Sequence, residues 1–157
     1  MNMGIAIGAI AALLAAAGAA PAQDKPDNAY RDAKVANFAL PGHDHASPGY
    51  ESFSFWSGPQ GEFIDYDYNQ GAEHRQVRVR AAGPSVDGDG FAVRFPNGLV
   101  LDIVPRGAAL RVSDRRGHYG KTFEWRYEGP VDGRGTFCTP CVDEADAIGF
   151  VRRHFME

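Results

Sequence analysis

Cysteine is nearly absent: Cys138 and Cys141 are the only two in 157 residues. The fold must therefore rest on a packed core and not on a disulfide framework. A strong excess of either sign of charge is missing too. Lys and Arg number 16 against 20 Asp and Glu, a net −4, which does not point to nucleic acid. The alternating arginines of Arg75-Gln76-Val77-Arg78-Val79-Arg80 read as the wet face of a strand. There is no nucleophile motif, no phosphate loop and no carboxylate pair at a telling spacing, so the reading leans away from an enzyme.

One apolar run stands alone. From Gly4 to Ala20 there is no charged side chain, and Ala20-Pro21-Ala22 then sets small residues ahead of polar Gln23-Asp24-Lys25. That is the pattern of a cleaved secretory signal peptide, although Met1-Asn2-Met3 lacks the usual Lys or Arg. The run is shorter than the ~20 residues of a spanning helix, and no Cys follows it to carry a lipid. The expected organisation is a leader at 1–22, a polar, mobile lead-in at 23–50, and one β-rich domain with a C-terminal helix at 51–157. The expected compartment is secreted or periplasmic, with no membrane attachment after cleavage.

Glycine and proline are placed as punctuation. Pro59-Gln60-Gly61, Pro96-Asn97-Gly98 and Pro105-Arg106-Gly107 each have the chemistry of a three-residue hairpin loop. Strands are expected at 52–56, 62–68, 76–81, 91–95, 99–104, 108–113 and 122–128. The predicted fold is mainly β: an antiparallel seven-strand meander, either a partial barrel or a two-sheet sandwich, with one C-terminal α-helix. Across Pro96-Gly98, Phe91 should face Ile103 and Val93 should face Leu101. Across Pro105-Gly107, Asp102 should face Leu110 and Val100 should face Val112. Strand 99–104 then becomes apolar on both faces and needs cover on each; a misread loop would remove that need by flipping the register. Double cover is the preferred reading, with the helix over this strand. The segment 28–40 reads as a weak helix.

The helix is expected over 140–155, with Thr139 as cap and Pro140 at its first position. Asp143, Glu144 and Asp146 lie at its positive end, and Arg152, Arg153 and His154 at its negative end. Cys138-Thr139-Pro140-Cys141 resembles the active-site motif of the thioredoxin family, over these four residues and the helix after them. The resemblance implies a redox-active pair; in that family much of the fold follows the motif, whereas here only 142–157 remain. A structural disulfide between Cys138 and Cys141, clamping the helix start, is the preferred reading. Thiol-redox chemistry is the alternative, and metal ligation a third.

Aromatic residues are plentiful. Phe53, Phe55, Trp56, Tyr66, Tyr68, Trp125 and Tyr127 fall on few strands and either form core or line an apolar ligand cavity in a barrel. Asp102 needs a partner: it is a functional candidate, or it pairs with an arginine at the sheet margin. His43-x-His45 and Asp87-Gly88-Asp89-Gly90 read as loops; no cofactor and no metal are expected. The functional expectation is a ligand-binding or interaction module of the cell envelope. Its partner is a small apolar ligand or an envelope protein.

Overall fold

The computed structural model describes residues 27–126 and 140–157. The expected leader, Tyr127, Cys138 and Thr139 lie outside the described residues. Eight strands follow one another: β1 (Lys34–Ala39), β2 (Glu51–Gly58), β3 (Gly61–Gln70), β4 (Glu73–Pro84), β5 (Phe91–Arg94), β6 (Val100–Arg106), β7 (Ala109–Asp114) and β8 (Gly120–Trp125). Each pairs antiparallel with the next, and β8 returns to β1, so the meander closes into a barrel. The meander expected from the sequence holds. The seven strands and the open barrel or sandwich are corrected to eight strands and closure.

The eighth strand is β1, within the stretch read as a weak helix. Its composition, Lys-Val-Ala-Asn-Phe-Ala, gives no period-2 alternation because five of its six residues are buried. Ala36 and Phe38 join the barrel core. Val35 lies outside, under a second small cluster with Ala33 and Trp56. Tyr30, on the 3₁₀ turn Asp27–Tyr30, stands edge-on to Trp56 at 4.8 Å and to Phe63 at 5.2 Å. Tertiary cover on both faces, absent from any local pattern, overrides weak strand propensity.

The two hairpins at the middle of the sequence came out differently. Around Pro96-Gly98 the register is as expected: Phe91 faces Ile103 and Val93 faces Leu101. Gly98 takes a φ of 93° while Phe95 and Leu99 stay bonded across the loop at 2.8 Å. Around Gly107 the expectation fails. Arg106 faces Ala109, Pro105 faces Leu110 and Ile103 faces Val112. The tight turn is Gly107-Ala108, and Pro105 lies in β6. Leu110 and Val112 therefore share the inner face with Leu101 and Ile103, while Asp102 points outward. β6 is buried on both faces as expected, with Val104 outside as well as Leu101 and Ile103 inside; the error lay in the partners across the turn, a slip that exchanges the faces of β7.

The helix α1 spans Glu144–Val151 and runs on into a wider turn at Arg152–Met156. It starts later than expected because 140–142 is taken by the sheet. Val35 N–H donates to Pro140 O at 3.0 Å, and Val142 N–H to Val35 O at 2.8 Å. Cys141 sits opposite Val35 as a short parallel bridge, and Asp143 occupies the position before the helix. Cys141 is thus a sheet rung, not the first helical turn. Among the described residues it is the one cysteine, and no disulfide joins two of them. The expected disulfide clamp on the helix start is corrected accordingly: that start lies beyond Cys141. The helix does not cover β6 either. Its neighbour is β1, and Ala147, Phe150 and Val151 plug one end of the barrel core.

Candidate functional site

Inward-facing residues come from every strand, and the aromatic ones meet ring to ring. Phe53 lies 5.0 Å from Tyr66 and 5.1 Å from Phe123. Tyr66 lies 5.3 Å from Phe95, and Phe55 lies 5.9 Å from Phe38. These are contact distances, and an eight-stranded barrel is just wide enough for side chains to fill it. Of the residues expected to line a cavity, Tyr66 and Tyr68 are core. Trp56 is on the outer face, stacked on Phe63 at 5.8 Å. Trp125 packs at the core margin and donates its Nε1–H to Val142 O at 3.0 Å. Asp102 is outside, bonded to Arg115 Nη2 at 3.0 Å and to the Val86 amide at 3.4 Å. The arginine pairing considered for Asp102 is therefore the one observed. Tyr127 lies outside the described residues. The structure does not bring this set together around one opening.

The best-built polar cluster is one that the sequence reading missed. Glu51 opens β2 on the inner face, with its side chain only 2% exposed. It accepts hydrogen bonds from Tyr66 Oη at 2.8 Å and Tyr119 Oη at 2.7 Å on Oε1. Lys121 Nζ reaches Oε2 at 2.6 Å. Burial, then the Glu51 charge, holds the Tyr66 and Tyr119 hydroxyls well above their ordinary value. Both tyrosines are thus fixed as donors to a carboxylate. Glu51 is 15 residues from Tyr66 and 68 from Tyr119 in sequence, so no local spacing advertises the group. Its alternation with Phe53 and Phe55 was the one available signal.

On the outer face, Asp65 and Arg78 face each other across β3–β4. Arg78 Nε donates to Asp65 Oδ1 at 2.7 Å, and Tyr30 Oη to Asp65 Oδ2 at 2.7 Å. The pair is not wet, since Asp65 is 1% exposed under the Tyr30 turn. Burial raises the Asp65 carboxyl above its ordinary value against the pull of Arg78 and Tyr30. Burial also opposes the Arg78 charge, but the Asp65 hydrogen bond and charge outweigh it and raise Arg78. Both are raised, which disfavours the Asp65 charge and favours the Arg78 charge, because the guanidinium keeps some water while the carboxylate has almost none.

Beyond this rung the ladder between β3 and β4 stops: the pairing ends at Ile64 and Val79. An open cleft of about 430 Å³ lies here, lined by Phe63, Arg78 and Arg80 on the strands and by His154, Phe155 and Glu157 beyond α1. A second cleft of about 540 Å³ lies on the other side of His154, along Lys34, Cys141, Asp146 and Phe150. His154 Nδ1 is 3.2 Å from Ser57 Oγ and 3.3 Å from Glu62 Oε2, and Ser57 Oγ donates to that same oxygen at 2.9 Å. A catalytic triad needs the serine and the acid on different ring nitrogens. Here all three meet at one nitrogen, and the arrangement ties the end of the chain to the β2–β3 hairpin. Cys141, on its sheet rung, lacks the helix N-terminal setting that would favour a thiolate. His45 and His74 approach each other with ring centroids 6.2 Å apart, next to Tyr50. No group of three metal-ligating side chains occurs among the described residues.

Comparison with protein-family models, curated proteins and solved structures finds no match.

Proposed function

We propose that the chain is a binding or interaction module of the cell envelope that meets its ligand on the outside of the barrel, at the end plugged by α1. One observation carries this reading: the cleft where β3 and β4 part gathers Phe63, Phe155, Arg78, Arg80 and His154 at one opening. Aromatic surface beside guanidinium groups is the composition of a recognition site. The interior aromatics, by contrast, are committed to one another. The sequence-based expectation of an internal apolar ligand thus moves to the outer face. Secreted or periplasmic placement is part of the proposal and rests on the uncharged run from Gly4 to Ala20.

Amide chemical shifts recorded while the protein is titrated with a panel of small aromatic anions, such as benzoate and phenyl phosphate, test the reading. Saturable shifts at Phe63, Arg80, Ala81 and Phe155 are expected. Shifts confined to Phe53, Tyr66 and Phe123 would place binding inside the barrel and overturn it, as would no saturable shift anywhere.

A further inference from the structure

We infer that Arg80 and Arg94 form an anion site on the outer face, matched to the phosphate monoester group of a ligand. The inference rests on the outer cleft as the binding face and names the chemistry at its edge. Arg80 and Arg94 are direct partners across β4–β5. Side chains so placed have Cβ atoms about 5 Å apart, and like charges there are destabilising. Nothing local relieves them. Arg75 is paired with Glu73, Arg78 with Asp65 and Arg115 with Asp102. Among the described residues, Arg80 and Arg94 have neither a carboxylate nor a hydrogen-bond partner. Both are exposed.

Of the acids nearby, only Glu157, which lines the same cleft, is uncommitted, and it makes no ion pair with either arginine. Arg94 faces half-buried Val100 on its other side. Asp102, opposite Ala92, is held by Arg115. Asp65 is held by Arg78 and Tyr30. Glu62, on the cleft wall, is held by Ser57 and His154. A chain of net charge −4 thus keeps two adjacent guanidinium groups unneutralised, one of them lining a cleft of about 430 Å³. Each guanidinium presents a planar fork suited to oxyanions. Together they carry two positive charges. A phosphate monoester supplies about −1.5 to −2 and three terminal oxygens; a carboxylate supplies one negative charge and one oxygen fewer. The organic part of the ligand would then lie against Phe63 and Phe155.

Thermal melting at fixed ionic strength tests the site with inorganic phosphate as probe and acetate or chloride as controls. Phosphate should raise the melting temperature saturably, as a ligand of the folded state does, while the controls should not. Arg80→Gln and Arg94→Gln should each weaken the apparent phosphate affinity about tenfold or more. Arg75→Gln should leave it unchanged. Without phosphate, Arg94→Gln should melt at or above the parent temperature, because it removes the like-charge rung. Co-sedimentation with vesicles of phosphatidylcholine and phosphatidic acid distinguishes the source. Binding that needs both arginines puts the monoester on a lipid; a phosphate response without vesicle binding puts it on a soluble molecule. No saturable phosphate effect, or one that survives both arginine substitutions, overturns the inference. Phosphate reads only the arginine rung, whereas the aromatic titration reads the cleft, so the two readings fail separately.

Discussion

At the residue scale, the carboxylates are told apart by what surrounds them. Glu51 is buried among two phenol hydroxyls and one ammonium. Replacing it by Leu strands both hydroxyls without water, and a broken buried pair costs about 3–5 kcal/mol. Urea denaturation of Glu51→Leu should show a loss of that size. Adding Tyr66→Phe and Tyr119→Phe should recover part of it, since the stranded hydroxyls are then gone. Purely additive losses would mean that the three groups do not act as one. Asp65 has a pH signature. Its carboxyl is raised above the ordinary 3.8 by burial, so its contribution to stability is fully present below that value and is lost as pH rises through the folded value. Asp44 and Asp87, lowered by hydrogen bonds from Ala46 and Asp89 respectively, act on the other side of 3.8, losing their contribution as pH falls. Asp65→Asn keeps the geometry and removes the titration. The stability difference, parent minus variant, should shrink as pH climbs out of the acid range. A difference that grows over the same window would show that Arg78 and Tyr30, not burial, set the sign.

At the element scale, the strands were legible where one face is dry and the other wet. In β3, Ile64, Tyr66 and Tyr68 alternate with Asp65 and Asp67, and that alternation marks the strand. It failed for β1, whose residues are buried on both sides by groups distant in sequence, Trp56 and Cys141 among them. Helix chemistry was legible in the charges at the two ends of α1, but the start was not. Nothing near Pro140 tells that Val35 will claim its carbonyl. Phe155 measures what the docking of the chain end contributes. Its ring stands 5.5 Å from Phe55 and 6.0 Å from Phe91, yet it is only partly buried. Full burial would make Phe155→Ala cost about 3–5 kcal/mol; partial burial brings the expected cost to roughly 2 kcal/mol. Calorimetry decides, and a loss below half a kcal/mol would show that the ring is a bystander.

For the whole molecule, closure is the property that no strand pattern contains. It depends on one seam. Among the described residues β2 and β3 share eight paired positions, whereas β1 and β8 share two, Phe38 with Trp125 and Ala39 with Glu124. The ladder is extended by one bond from the Arg126 amide to Asn37 O at 3.0 Å. The Arg126 guanidinium then reaches past the strand to Leu40 O and His43 O, so it clips the β1–β2 loop to the end of β8. A seam with two rungs among the described residues, clipped by the Arg126 guanidinium, should open before the rest of the barrel does. Native-state hydrogen exchange should therefore show the Arg126 amide opening at lower free energy than the central amides of β3. Arg126→Ala should widen that gap and cost about 1–3 kcal/mol, the worth of hydrogen bonds from a charged donor. Equal opening free energies at the seam and in β3 would mean that the barrel unfolds as a single unit, with closure carried by the core rings and not by Arg126.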